Sequence, residues 1–187
     1  MENNSDKANQ ILKELEMFAR KTHMNIVGPG KGKIIAETIN RIKPKCILEI
    51  GTLFGYSTIL MAKELEPGAK LITIERDQAE AEDAEENLKK AEIVADVEIY
   101  MGEALEILPK LRNKFDLVLL DASKSENMDY LRLLEDKLHK GSVLIADDAG
   151  IMANQMEDYL KYVRLSGRYE SKYVPVEHDG MEISVKK

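Results

Sequence analysis

The sequence contains no tryptophan, three phenylalanines and one cysteine among 187 residues. A single cysteine allows no disulfide within the chain, and Cys46, at the head of an apolar run, reads as a small buried side chain. No stretch approaches the roughly 20 consecutive apolar residues of a membrane span. The opening Met1-Glu2-Asn3-Asn4-Ser5-Asp6 lacks the apolar centre of a signal peptide, so a cytoplasmic protein with no membrane partner is expected. Positive charge is in deficit: 27 Lys and Arg face 34 Asp and Glu, a net charge of -7. That balance opposes broad attraction to nucleic acid or anionic lipid, though a local basic patch is compatible with it. The three histidines, His23, His139 and His178, have no metal-ligand spacing.

What is present is a globular composition, 44% hydrophobic and 33% charged, without repeats, low-complexity tracts or linkers. One domain over 1–187 is expected, with residues 1–23 as an N-terminal helical extension. Periodicity predicts helices over Lys7–Lys21 and, after a break at Gly28-Pro29-Gly30, through Ile34, Ile35, Ile39 and Ile42. Pro44 then forces extended backbone. Apolar strands alternate with amphipathic helices from there: strands at 46–50, 71–75, 97–100, 115–120 and 142–146, helices at 57–65, 78–91, 104–111, 127–138 and 155–165. Segments 169–174 and 181–185 read as a closing hairpin. Continuous apolar strands separated by helices specify an α/β, doubly wound, mainly parallel sheet covered on both faces. Ligands of such sheets bind outside the carboxyl ends of the strands, so residues just after strands carry the chemistry.

Two strands end at acid. Leu119-Leu120-Asp121-Ala122-Ser123-Lys124 and Ile145-Ala146-Asp147-Asp148 place Asp121 and Asp147 at adjacent strand ends, roughly 5 Å apart if the strands are neighbours. Carboxylates that close repel unless a cation or proton separates them. With Asp148 beside them, a hard oxygen-seeking divalent ion such as Mg²⁺ fits the set Asp121, Asp147 and Asp148. The competing role, capping the following helices, suits one aspartate better than three with a lysine nearby. Lys124 is a candidate base, on the expectation that a metal charge and partial burial lower its pKa.

The first strand leads into Glu49-Ile50-Gly51-Thr52-Leu53-Phe54-Gly55-Tyr56-Ser57, and the second ends at Glu75, an acid placed to accept from a ribose diol. The Gly51-x-x-x-Gly55 spacing departs from the dinucleotide fingerprint, and Leu53 would crowd a pyrophosphate. Glu49 suits a cationic ligand, which makes S-adenosylmethionine, a sulfonium, the best candidate.

These segments together resemble the metal-dependent class I O-methyltransferases, the group containing catechol O-methyltransferase and the plant caffeoyl-CoA O-methyltransferases. The likeness runs from about Met24 to Val185. It is carried by Met24-Asn25-Ile26-Val27-Gly28 with Lys31-Gly32, Leu48-Glu49-Ile50-Gly51, Gly55-Tyr56-Ser57, 67–75, 141–147 and Asp179-Gly180-Met181-Glu182. The resemblance implies a seven-stranded sheet with an antiparallel last strand. It implies Val27 and Ser57 at the methionine carboxylate, Gly51 and Asp121 at its amino group, Glu75 at the ribose, and Arg76, Glu103 and Ala104 around the adenine. It also implies Lys124 as the catalytic base and Asp121, Asp147 and Asp148 as metal ligands, with Asp148 replacing the family's usual asparagine.

The acceptor is less defined. Thr22 and Ser123 fall near the tryptophan walls of catechol O-methyltransferase, Met152 near a wall proline, and Tyr173 near the carboxylate that holds the second hydroxyl. Phe54, Tyr56 and Met152 are candidates for an aromatic pocket. A catechol-like or other vicinal-diol small molecule is the first expectation. A hydroxylated uridine in tRNA is the second, with Lys31, Lys33, Arg164, Arg168 and Lys172 as a candidate basic surface. A non-catalytic adenosylmethionine-binding module is the third. The helix before Met24 is a candidate for a homodimer contact or a cover over the site.

Overall fold

A computed structural model describes the backbone of residues 4–187 and the side chains from Asp6 onward. Two helices open the chain, α1 (Asn4–Thr22) and α2 (Gly28–Ile42). The alternating part follows as β1 (Cys46–Ile50), α3 (Tyr56–Ala62), β2 (Lys70–Glu75), α4 (Gln78–Lys90), β3 (Asp96–Met101), α5 (Ala104–Ile107), β4 (Phe115–Leu120), α6 (Asn127–Leu134), β5 (Leu138–Ala146) and α7 (Glu157–Leu165). A hairpin of β6 (Tyr169–Val176) and β7 (Asp179–Lys186) closes it.

The seven strands form one sheet in the order β3-β2-β1-β4-β5-β7-β6. The pairings among β1 to β5 are parallel, and β7 is antiparallel to both β5 and β6. The order reverses between β1 and β4, which puts the switch-point crevice beside Gly51 and Asp121.

Strand alternation divides the core in two. Leu48, Ile50, Ile72, Val118, Leu120 and Leu144 face α5, α6 and α7. Ile47, Leu71, Leu117, Leu119, Val143 and Ile145 face α1, α2 and α3. Each fully buried aliphatic side chain contributes roughly 1.5–3 kcal/mol of transfer free energy. Glu49 and Thr73, opposite one another in register, fall on the second face by the same period of two.

Element boundaries depart from the sequence reading where polar residues mask the chain's direction. Gly28-Pro29-Gly30 opens α2 rather than interrupting the chain, with Pro29 in the first turn, where a missing N–H costs nothing. Strand β5 starts at Leu138, not Ser142, because the Ser142 hydroxyl accepts from His139 N–H and donates to the Phe115 carbonyl, stitching a polar start onto β4. Helix α6 correspondingly stops at Leu134. Asp77 caps α4, accepting from the N–H groups of Ala79 and Glu80 at 2.8 and 3.1 Å.

Helix α1 is part of this packing: Ala8, Ile11, Leu12, Leu15 and Ala19 are buried. It braces the approach to α3 through an edge-to-face contact of Phe18 with Phe54 and a 2.7 Å hydrogen bond from the Tyr56 hydroxyl to Glu16. Among the described residues no helix is long and apolar enough to cross a membrane.

Candidate active site

A cavity of about 430 Å³ opens over the carboxyl ends of β1, β2, β4 and β5. Its floor is the turn Gly51-Thr52-Leu53, with Gly51 at φ +101° and Leu53 at φ +50°, left-handed values that favour glycine at the first position. Glu75 shapes this turn. One of its carboxylate oxygens accepts from the N–H groups of Thr52 and Leu53 at 3.0 and 2.8 Å. The other accepts from Arg76 and Asp77 at 2.7 and 3.0 Å. The carboxylate therefore ties the end of β2 to the loop after β1 before any ligand arrives.

At the other end of the cavity Asp121, Asp147 and Asp148 each offer an oxygen within 4.8 Å of the others. Parallel register fixes the first two, since Leu120 pairs with Ala146 and the aspartates follow. Asp148 has left-handed backbone at φ +56°, a conformation in which Asp and Asn are the best tolerated residues after glycine. That requirement is shared by the asparagine expected there and the aspartate present. Lys124 Nζ lies 2.7 Å from Asp121 Oδ1 and 3.2 Å from Asp148 Oδ2. A second ammonium, Lys31 Nζ, meets Asp147 Oδ1 at 2.7 Å, Asp148 Oδ1 at 2.9 Å and Asp179 Oδ2 at 2.6 Å. Asp147 Oδ1 is buried and makes no hydrogen bond of good geometry despite that contact. Three carboxylates this close, two of them buried, fit a hard cation.

Electrostatics agree. Burial, reinforced by the Asp121 and Asp148 charges, pushes the Asp147 carboxyl up to about 7. Burial raises Asp121 as well. Lys124 differs from the sequence expectation. Burial is the largest influence on it and does favour the neutral amine, but the charges of Asp121 and Asp148 outweigh burial and hold the proton more firmly than water would.

The cavity gathers Val27, Gly51, Ser57, Glu75, Arg76, Glu103, Ala104, Asp121, Lys124, Asp147 and Asp148 on one surface. Glu49 stands apart. It is fully buried behind the wall, accepting from Thr58 Oγ1 at 2.5 Å and Thr73 Oγ1 at 2.7 Å, and is not a lining residue. Burial pushes its carboxyl up to about 7 against the pull of the Ser57, Thr58 and Thr73 hydroxyls. Strand alternation is the reason: Glu49 points under α3, not along the strand axis toward the crevice.

Of the suggested acceptor walls, Ser123, Tyr56 and Met152 line the cavity. Thr22 instead donates to the Phe18 carbonyl within α1, and Phe54 packs on Phe18. Tyr173 lies against Gly150 and Gly180 rather than in the lining. The suggested basic surface is largely committed to ion pairs: Lys31 to three aspartates, Arg164 to Glu182 and Arg168 to Glu135. Sequence reasoning missed the roles of Lys31 and Asp179. Both stood in quoted motifs, but more than a hundred residues separate Lys31 from the acids it meets.

The sequence matches the O-methyltransferase family model over residues 1–168. Catechol O-methyltransferase B of Danio rerio is 34% identical over 190 residues, covering 94% of this chain and 71% of that protein. A transmembrane O-methyltransferase homolog of Mus musculus is 35% identical over 158 residues, covering 80% of this chain. The chain spans 60% of the length of that mouse relative. Among solved structures, the O-methyltransferase TomG of Streptomyces achromogenes, in complex with SAM, aligns with TM-score 0.82 at 25% identity, covering 95% of this chain and 89% of that one. A Bacillus cereus O-methyltransferase in complex with SAH shares the fold, with TM-score 0.85 at 24% identity over 95% of this chain and 91% of that one. With a cavity at the switch point, an acid-and-lysine edge and these matches, the chain belongs to the O-methyltransferase family.

Proposed function

We propose that this chain transfers a methyl group from S-adenosylmethionine to one hydroxyl of a catechol-like or other vicinal-diol small molecule, assisted by a divalent ion such as Mg²⁺. The observation that carries the reading is the placement of Lys124 Nζ 2.7 Å from Asp121 Oδ1 on the wall of the cavity that Gly51 and Glu75 also line. TomG, solved with SAM, supports the choice of donor. Glu75 would receive the ribose, Arg76, Glu103 and Ala104 the adenine, and Val27 with Ser57 the methionine carboxylate. Gly51 and Asp121 would meet its amino group.

Asp121, Asp147 and Asp148 would hold the ion, which when bound supplies a Lewis acid that lowers the pKa of an acceptor hydroxyl. Lys124 Nζ accepts that hydroxyl proton. The carboxylates that hold the proton on Lys124 are the ones an ion would occupy, and once their charge is engaged burial favours the neutral amine. The acceptor oxygen then forms a bond to the methyl carbon as the carbon–sulfur bond breaks, leaving a neutral thioether. Holding oxygen and methyl in line at near-attack distance supplies much of the rate.

A hydroxylated uridine in tRNA is the second reading, and the ion pairing of Lys31, Arg164 and Arg168 weighs against it, since an RNA surface needs uncommitted cations. The test uses labelled S-adenosylmethionine and Mg²⁺ with a panel of catechols beside undermodified tRNA, each repeated with EDTA. Methylation of a catechol, lost with EDTA, is the expected result. Label in tRNA alone, or activity indifferent to EDTA, would overturn the reading.

A further inference from the structure

Lys31 is held in place with unusual care for a lysine that no step above uses. Its neighbour Gly32 packs so tightly that a Cβ there would sit 2.4 Å from the Leu60 side chain, and one at Gly30 would sit 2.9 Å from Val176. The backbone of the first turn of α2 is thereby pinned between α3 and the β6–β7 hairpin. From it the ammonium reaches Asp147, Asp148 and Asp179, and the residue is 9% exposed. The two lysines divide Asp148 between them, Lys31 on Oδ1 and Lys124 on Oδ2. Four carboxylates face two ammonium groups here, so one divalent ion balances the cluster.

Asp179 differs from the other three acids. Its Oδ1 accepts from the N–H groups of Gly150 and Ile151 at 3.0 and 2.9 Å, leaving Oδ2 for Lys31. Among the described residues it is the one ion-pair partner of Lys31 outside the set of aspartates that converge as a candidate ion site.

Resting on the metal reading above, we infer that Lys31 is a resident cation of this edge, competing with the divalent ion for Asp147 and Asp148 and yielding to it by retreating to Asp179. In the metal-free protein it screens carboxylates that would otherwise repel one another. When an ion binds, a positive charge this near opposes it, and Asp179, already 2.6 Å from Lys31 Nζ, is the carboxylate left to hold that charge. Lys31 is a positioning residue, and it sets metal affinity downward. A lysine that merely braced the site would have the opposite effect on removal.

The experiment measures Mn²⁺ binding to the full chain, without methyl donor or acceptor, from the electron paramagnetic resonance of free Mn²⁺. Lys31→Met is expected to bind Mn²⁺ about tenfold more tightly than the unsubstituted chain, and Lys31→Arg to match it. Asp179→Asn is expected to weaken binding several-fold, and Lys31→Met combined with Asp179→Asn to bind about as tightly as Lys31→Met alone, tighter than independent effects would give, a coupling that a thermodynamic cycle reads directly. The metal-free melting temperature of Lys31→Met should fall, and its rise on adding Mn²⁺ should exceed that of the unsubstituted chain. Unchanged or weaker Mn²⁺ binding in folded Lys31→Met overturns the inference while leaving the metal reading intact. Absence of Mn²⁺ binding in every variant, the unsubstituted chain included, defeats the metal reading itself.

Discussion

Gly51 and Asp121 approach so closely that a Cβ on Gly51 would sit 2.6 Å from the Asp121 carbonyl oxygen. The turn that would hold the methyl donor and the strand end that carries the acid proposed as a metal ligand thus touch backbone to backbone, and a shift of either presses on the other.

Substituting Gly51→Ala should therefore disturb both halves of the site. The left-handed φ and the clash together should cost about 1–3 kcal/mol of stability. Calorimetric titration with S-adenosylhomocysteine, the demethylated donor, should show binding reduced by at least about tenfold. Normal binding by Gly51→Ala would mean the two loops relax apart freely.

Lys124→Met should leave S-adenosylhomocysteine affinity close to that of the unsubstituted chain and lower kcat roughly 100- to 10,000-fold, the usual worth of a general base. Single-turnover transfer to a free catechol acceptor checks it. A KM effect with kcat preserved would assign Lys124 to binding instead.

Glu75 accepts four backbone N–H groups, so Glu75→Gln turns an acceptor into a donor facing donors. A loss of about 1–3 kcal/mol is expected from the groups left unpaired. Donor affinity should fall with it, because the turn and the ribose contact depend on the same carboxylate. Urea unfolding followed by ligand titration of the folded variant separates the two effects.

The metal-free protein should become more stable on mild acidification, the reverse of the usual trend. Asp147 and Glu49 are both pushed up to about 7, and His139 is raised above its ordinary value by the Lys140 carbonyl and Asp116. Each binds its proton more tightly folded than unfolded. The stability they give is complete below their unfolded pKa values and is lost as pH rises through the folded ones. Asp179, lowered to about 2, loses its contribution only in stronger acid. Urea midpoints in EDTA should rise from about pH 8 to about pH 5.5, by the order of 1 kcal/mol. Divalent-ion affinity should fall over the same range, as Asp147 must shed its proton to bind. A midpoint that drops on acidification, or an unchanged ion affinity, would contradict the burial of these carboxyls.

Much of the frame is legible in sequence because apolar periodicity is local. Phe115–Leu120 and Cys46–Ile50 appear as strands with the bounds the structure gives them. Asp121, Asp147 and Asp148 converge because parallel neighbours must end side by side. What stays hidden is direction and distance. Glu49 sits in the right motif yet turns under α3, a matter of one step in strand alternation. Lys31 looks like a surface charge until α2 folds back over the sheet edge, and the polar start of β5 looks like a loop until Ser142 bonds to β4.

The insertion of β7 between β5 and β6 has a consequence for biosynthesis. Lys31 precedes β1, and Asp179, on that inserted strand, follows β5 and β6. A ribosome-bound chain that has released β1 through β5 and the turn after it already possesses Asp121, Asp147, Asp148 and both lysines, but not the third carboxylate that Lys31 meets. The acid edge can take its final arrangement only after the closing hairpin emerges, so the site is completed as a late event of folding.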